Sequence, residues 1–348
     1  MDVRRAALES QVDVLPEEFC ASYAIFLGYF LKKSSPIITI LKICVLFLPI
    51  FATSIMKGAF IKLHIAVFLA GITGILGKLI SLNESLLVWY RMLITVVTLW
   101  IIYAFRKKIV PVSFKDLMQM VGVGAVVATH WVAFYGSIKY ANVSVSLVCL
   151  SLMGFFSALM EPVLLRRKIA FQEVLLGMVS VAGIALIFHF DIQYKVGIIF
   201  GIVAAFLASL FTILNKKLLS KHDSGTVTLY ELSGGFAVLT CVMPFYLSAS
   251  HIGFSLPAGL DWVWLLILSW LCTVLAFYIS LDALKDISPF TVNLTYNLEP
   301  VYGILLAFFL FHENKYLSNG FYVGVFLIFV AVILQMVRVR KKIHSMAV

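Results

Sequence analysis

Three ionisable side chains lie within long apolar stretches of this chain: Arg91, Glu231 and Glu299. A charged side chain at the centre of a membrane helix costs about 2.5–3.5 kcal/mol on insertion scales, so such residues usually face a cavity or a partner. Arg91 and Glu231 also occupy matching places in two similar segments, Trp-Tyr-Arg and Leu-Tyr-Glu. A solute with both an anionic and a cationic group, such as an amino acid, would bridge two such poles. The alternative is that each residue is a snorkelling or locally paired structural group.

The stretch that begins at His130 carries an aromatic face. His130 and Phe134 are spaced i,i+4, as are Trp131 and Tyr135, so on a helix the four side chains form one broad surface. An aromatic wall with one titratable member suits a planar or apolar-bodied solute. Core packing is the alternative interpretation.

The segment around Glu299 has a polar face next to a proline. Asn293, Tyr296, Asn297 and Pro300 fall within about a third of the helical circle, and Glu299 lies about 60° beyond Tyr296. Pro300 cannot donate a backbone hydrogen bond, which frees a carbonyl one turn earlier and predicts a kink. Such a helix lines a wet cavity, where Glu299 could change protonation or contact a substrate amine. The alternative role for Glu299 is a structural hydrogen bond at the kink.

The remaining motifs favour packing over chemistry. Gly71, Gly74 and Gly77 sit in an apolar stretch with no preceding strand, so helix packing is a better interpretation than a phosphate loop. The five cysteines lack paired spacing and are interpreted as reduced packing residues. The sequence has no evident nucleophile–base pair, metal-spaced cluster or ATP-binding domain. We therefore expect no enzyme activity, no cofactor and no bound metal, and any transport would be secondary.

Composition predicts that membrane helices position these residues. The chain is 62% hydrophobic and 13% charged, with a mean hydropathy of +1.04. About 20 helical residues cross a bilayer core, and apolar runs of that length recur without the alternation of a barrel strand. We expect an all-α integral membrane protein with ten transmembrane helices, at about 59–81, 85–105, 116–137, 143–165, 171–190, 195–216, 227–249, 262–282, 288–311 and 318–337.

The second half of the chain repeats the first. Ala133–Ser137 (Ala-Phe-Tyr-Gly-Ser) returns as Ala276–Ser280 (Ala-Phe-Tyr-Ile-Ser). Two similar sets of membrane helices are typical of transporters, in which the halves rock around a site at their interface. We therefore include the repeated tyrosines Tyr135, Tyr230 and Tyr278 among the candidate cavity residues.

The basic residues predict the orientation of the spans. Basic clusters follow the second, fourth, sixth and tenth spans: Arg106 to Lys108, Arg166 to Lys168, Lys216 with Lys217 and Lys221, and Arg338 with Arg340 to Lys342. The opposite ends of the spans carry little basic charge. The positive-inside rule then places both ends of the ten-helix unit, including the C-terminus, in the cytoplasm. Five helices per half make the repeat an inverted one. Anionic lipid headgroups account for the net charge of +10 without nucleic acid.

Three segments follow from these patterns. Residues 1–55 fit poorly, since a span at 37–55 would push a basic segment outside, against the charge rule. We expect them to be a mistaken upstream start or a loosely attached extension, the alternative being an eleventh helix. Residues 56–190 form the expected first repeat, and residues 191–348 form the second repeat with a basic tail.

These features resemble the EamA family of the drug/metabolite transporter superfamily over about residues 57–340. The resemblance rests on the glycines from Gly71 to Gly77 followed by Lys78, on Trp-Tyr-Arg at 89–91, on the Ala-Phe-Tyr pair, and on Asn-Leu-Glu-Pro at 297–300 with the later Glu313. The first half departs from the family pattern, with Gly154 and Arg167 where the second half has Pro300 and Glu313. The resemblance implies export or exchange of small metabolites such as amino acids, with no bound cofactor.

The sequence thus predicts a monomeric secondary transporter of the plasma (inner) membrane that exports or exchanges a small organic, amino-acid-like solute by alternating access. An importer and a nucleotide-sugar-type exchanger are the alternatives within transport. An integral-membrane enzyme and a scaffold protein are the alternatives outside transport. An enzyme would need polar residues clustered at one interface, whereas here they are scattered through the span centres. A scaffold would need large soluble loops, and the loops here are short.

Overall fold

A computed structural model describes residues 54–347 apart from Arg167, Ile169, Ala170, Asp191, Ser250 and Ile252. The expected N-terminal extension therefore lies outside the described residues, except for the backbone of its last two. Arg167 and the side chains of the basic C-terminal tail lie outside them as well.

The described part of the chain is all-helical. Its helices are, in order, α1 (Ser54–Leu79), α2 (Glu84–Phe105), α3 (Phe114–Tyr140), α4 (Val143–Leu150), α5 (Met153–Leu165), α6 (Phe171–Phe190), α7 (Lys195–Leu218), α8 (Ser224–Ala249), α9 (Asp261–Ser269), α10 (Ala276–Asp286), α11 (Pro289–Tyr296), α12 (Glu299–Phe311) and α13 (Asn319–Ala347). A π-helical turn, Trp270–Leu275, joins α9 to α10.

Seven described helical stretches are long and apolar enough to cross a membrane. They are α1 from Gly58 onward, α2, α3, α4 with α5, α7, α8, and α9 through α10. Three further apolar helical stretches are shorter: Phe171–Ile187 of α6, Glu299–Phe311, which is α12, and Asn319–Ala331 at the start of α13. The chain is therefore a multi-pass membrane protein, while the predicted count of ten spans stays a prediction.

Polar loop residues cap the N-termini of several helices with their side chains. Asn83 and Asn142 accept hydrogen bonds from the backbone N–H groups of Leu86 and Val145, at 2.9 and 2.8 Å. Asp223 does the same for α8, accepting from the N–H groups of Gly225 and Thr226. Burial alone would raise the pKa of Asp223, but hydrogen bonds from these two residues outweigh it and lower that pKa.

Three predicted spans are not continuous α-helices. The predicted spans 143–165 and 288–311 are interrupted at Ser151–Leu152 and Asn297–Leu298, and 262–282 contains the π-helical turn. At both interruptions the backbone makes tight i→i−3 hydrogen bonds, for example from Leu298 N–H to the carbonyl of Thr295 at 3.0 Å. The second interruption directly precedes Pro300, which has no N–H to continue the α-helical ladder.

Helices of the two sequence halves interleave. In the described region α3 packs mainly against α7 and α8, α1 packs against α10 and α12, and α6 packs against α13. Glycines permit the closest approaches: a Cβ atom on Gly124 of α3 would collide with the backbone of α8 at Glu231, and one on Gly77 would collide with the Tyr135 ring. The core therefore lies between the halves, where a central site would be enclosed.

Candidate functional site

A cavity of about 100 Å³ lies where α1, α2, α3, α7, α10 and α11 converge. Six of the residues predicted for a substrate cavity line it: Arg91, His130, Trp131, Asn293, Tyr296 and Glu299. A larger cavity of about 350 Å³ elsewhere has mostly apolar walls and offers few polar groups to orient a solute. We therefore take the central cavity as the candidate site.

Arg91 is buried, with 2% of its surface exposed, and is held by neutral partners. Its Nε donates to Thr273 Oγ1 at 2.7 Å, its Nη1 to Tyr135 Oη at 2.9 Å and its Nη2 to the Cys272 carbonyl at 3.4 Å. The guanidinium carbon lies 3.9 Å from the centre of the Trp131 ring. No carboxylate of the described residues contacts Arg91 directly, so its guanidinium faces the cavity without a bonded counter-ion.

Glu299 also faces the cavity, from the first turn of α12. It is 5% exposed and makes no hydrogen bond or ion pair with any described residue. Its charge and that of Arg91 interact electrostatically through the cavity without direct contact.

The other polar groups of the wall are tied to the scaffold. His130 donates from Nδ1 to the Ala204 carbonyl at 2.8 Å, since a carbonyl oxygen can only accept. Asn293 donates to Ser157 Oγ at 2.6 Å, and the Tyr296 hydroxyl bonds to Ser280 Oγ at 3.1 Å. These bonds hold the wall in place. Arg91 and Glu299 are then two ionisable wall groups that lack a bonded partner of opposite charge among the described residues.

The remaining predicted residues lie elsewhere. Tyr135 sits behind Arg91 as its hydrogen-bond partner, and Asn297 is buried at the helix interruption beside Pro300. Glu231 is fully buried against Asn215, whose Nδ2 donates to Glu231 Oε1 at 3.0 Å. Tyr230 donates to the Val110 carbonyl at 3.0 Å, and Tyr278 is 40% exposed. Arg91 and Glu231 therefore do not share the cavity.

Sequence reasoning missed several polar groups around the cavity. Thr73, Thr212 and Ser280 contribute to the wall, and Thr273 is the closest partner of Arg91. Thr273 lies in the π-helical turn, which changes the helical register and so hides this contact from a period of 3.6. The described residues contain no group of three or more His, Cys, Asp or Glu side chains placed to hold a metal ion.

Glutamates cap the two short helices that begin the interrupted spans. Glu313 accepts from the N–H groups of Val143 and Ser144 at the start of α4, at 3.2 and 2.9 Å, and pairs with Lys78 Nζ at 2.7 Å. Glu161 accepts from Phe290 N–H at the start of α11, at 2.8 Å. Each cap joins the two halves of the chain, and helix N-termini favour such carboxylates.

Comparison with known proteins relates the chain to membrane transporters. The profile of the EamA-like transporter family matches residues 56–189 and, a second time, residues 195–337. Similar curated proteins include the uncharacterized transporter YetK of Bacillus subtilis, 26% identical over 72% of this chain and 78% of its own. Another is an uncharacterized transporter of Haemophilus influenzae, 23% identical over 73% of this chain and 85% of its own.

The fold is shared with solved structures. One of them is titled only as the crystal structure of a protein, and it aligns with a TM-score of 0.55 over 81% of this chain and 98% of its own, at 15% identity.

Proposed function

The chain belongs to the EamA-like transporter family, and from that premise we propose that it exports or exchanges a small amino-acid-like solute by alternating access. Transport as the general activity and a multi-pass membrane location follow from the family and the apolar helices. The solute, its direction and the secondary energy source belong to the proposal.

One observation carries the choice of solute: an arginine and a glutamate, neither in direct contact with an oppositely charged side chain of the described residues, face the same small cavity. A buried charge is costly unless it is paired. A zwitterion supplies both partners, with its carboxylate at Arg91 and its ammonium group at Glu299. A simple anion or a simple amine would satisfy only one of the two, so an α-amino acid matches the cavity better than either.

The size and the walls of the cavity support a small solute with an apolar body. Pockets for drug-sized ligands measure roughly 300–1,000 Å³, so a cavity of about 100 Å³ disfavours a nucleotide sugar. Trp131, Phe134, Phe211, Phe277 and Met153 contribute apolar surface next to the charged groups. This surface would hold a short apolar side chain.

We propose the predicted ten-span, inverted-repeat architecture as the frame for this transport. The second repeat would begin with α7, and α11 with α12 would together form one interrupted span. Interrupted helices at a central site are common in secondary transporters, because their free backbone groups can face the solute. A plasma-membrane location, a cytoplasmic C-terminus and a monomer complete the proposal, with anionic headgroups around the basic loops.

Transport by purified full-length protein in liposomes tests the proposal. Liposomes loaded with unlabelled amino acids are expected to take up a labelled small apolar amino acid by exchange, above the level of protein-free liposomes. Matched panels of carboxylic acids without an amine, amines without a carboxylate and nucleotide sugars are expected to exchange far less. Exchange of nucleotide sugars alone would overturn the assignment to amino-acid-like solutes.

In the predicted topology Glu313 lies toward the outer side of the membrane and Glu161 toward the cytoplasmic side. We expect each cap to hold its own end of the cavity closed. Replacing Glu313 with glutamine removes the ion pair with Lys78 and weakens the cap of α4. Hydrogen bonds to charged groups contribute about 1.5–3 kcal/mol, so we expect roughly tenfold easier opening at that end. With Ser280→Cys as a reporter in the cavity wall, in a background without native cysteines, Glu313→Gln should react about tenfold faster than its parent with an impermeant thiol reagent added outside.

The matched variant is Glu161→Gln, which weakens the cap of α11. It is expected to accelerate labelling from the cytoplasmic side only. Equal acceleration from both sides by either variant would contradict the assignment of one cap to each end.

A further inference from the structure

Glu231 is a fully buried acid that the substrate cavity does not use. It lies on α8 where that helix crosses α3, and the backbone of Gly124 packs directly against its carbonyl. Its carboxyl group meets Asn215 of α7, whose Nδ2 donates to Oε1 at 3.0 Å. Asn215 has no exposed surface either, so the pair is closed off from solvent.

The hydrogen bonds of this pair are incomplete in a specific way. Glu231 Oε2 and Asn215 Oδ1 are both buried, and neither has a partner among the described residues. Both atoms are acceptors when the acid is ionised, so neither can satisfy the other. A proton on Oε2 turns it into a donor, and Asn215 Oδ1 is an acceptor on the same partner. A single proton would therefore let the acid and the amide pair head to head and give both buried atoms a partner.

The surroundings of Glu231 supply no counter-charge. No charged side chain of the described residues interacts appreciably with its carboxyl group. Several charged or titratable groups of the helices packed around α8 are engaged elsewhere: Glu84 with Tyr246, Arg91 with Tyr135 and Thr273, Asp116 with Lys221 and His222, His130 with Ala204, Lys216 with the carbonyls of Leu284 and Lys285, and Asp282 with Lys62 and Lys285. An ionised Glu231 would be a buried charge without a partner, which proteins avoid.

We propose that Glu231 and Asn215 form a proton-binding site, distinct from the substrate cavity, and that its proton is the coupling ion of transport. The proton-binding part stands on the acid–amide geometry alone. The coupling part rests on the proposed function.

The position of the pair explains how binding of the proton would be linked to rocking of the halves. α3 belongs to the first half of the chain, and α7 and α8 belong to the second. Release breaks the O–H bond of Glu231, transfers the proton to a water molecule and leaves a carboxylate. That carboxylate needs water, so release requires the contact at Gly124 to open. Uptake reverses the step from the other side. Thr212, one turn before Asn215 on α7, lines the cavity, so α7 connects the two sites.

Infrared difference spectroscopy on the full-length protein in lipid tests proton binding without any substrate. At neutral pH the wild type is expected to show the carbonyl stretch of a protonated carboxylic acid, which Glu231→Gln removes. Glutamine copies the neutral acid in shape and keeps the bond to Asn215, so this variant should fold. The control is Glu84→Gln, another buried glutamate, which is bonded to Tyr246; it should retain the band. Identical spectra for wild type and Glu231→Gln would overturn the proton site.

Transport in liposomes tests the coupling. With a pH-sensitive dye inside and labelled α-amino acids as solutes, the wild type is expected to accumulate solute against its gradient when a pH gradient is imposed. Glu231→Gln should accumulate at least about tenfold less solute under the same pH gradient, while it retains solute exchange without a gradient. Undiminished proton-driven accumulation by the variant would overturn the coupling role. Absence of exchange in the wild type would instead count against the proposed solute, and the infrared result would stand independently.

Discussion

Replacing Arg91 with alanine is expected to reduce transport of zwitterionic solutes roughly 100-fold or more. Arg91 supplies the cavity's one positive charge among the described lining residues, and its guanidinium is aimed by Thr273 and Tyr135. Loss of one partner of a buried, hydrogen-bonded charge pair costs about 2–5 kcal/mol, and each 1.4 kcal/mol is tenfold. The measurement is the initial rate of exchange in liposomes that contain equal amounts of folded protein.

Two milder variants separate the charge from its positioning. Arg91→Lys keeps the charge but loses the planar fork that binds a carboxylate with two bonds, so it should recover only part of the rate. Thr273→Val removes one hydrogen bond that holds Nε and should cost roughly tenfold, mainly in KM. Normal transport by folded Arg91→Ala protein would show that the arginine is a structural residue and would remove the basis of the zwitterion site.

The sequence alone identified all three ionisable residues on which the proposals rest. An ionisable side chain in a membrane helix needs a cavity or a partner, and this reasoning applied equally to Arg91, Glu231 and Glu299. The structure separates them: Arg91 and Glu299 line the cavity, whereas Glu231 is bound to Asn215. Which of the three meet depends on how helices of the two halves interleave, and no local pattern in the chain encodes that packing.

The fold shows the same division between local and long-range information. Apolar length predicts where most helices lie, because this signal is local. Pro300 predicts the interruption before α12 for the same reason. No proline lies at the interruption at Ser151 or in the π-helical turn, so the sequence did not predict either feature. The cap of α11 by Glu161 joins residues far apart in the chain, so only the folded structure reveals it.

Replacing Glu299 with glutamine is expected to raise the KM for amine-bearing solutes at least roughly tenfold. The carboxylate faces the cavity with no partner of its own, so the substrate ammonium group would be its counter-ion. A charge-assisted hydrogen bond contributes about 1.5–3 kcal/mol, and glutamine keeps the shape while removing the charge. Folding should remain normal. Glu84→Gln, which also neutralises a buried glutamate but lies outside the cavity wall, should transport like the wild type.

The pH dependence of this variant distinguishes Glu299 from Glu231. A proton competes with the substrate ammonium group for the Glu299 carboxylate, so the wild-type KM should rise as the pH falls, and this dependence should flatten in Glu299→Gln. Accumulation driven by a pH gradient should persist in Glu299→Gln once the solute concentration exceeds the raised KM, because Glu231 is intact. A solute in which a hydroxyl replaces the amine should bind the wild type and the variant about equally. Unchanged KM and pH dependence would instead assign Glu299 to a structural role at the start of α12.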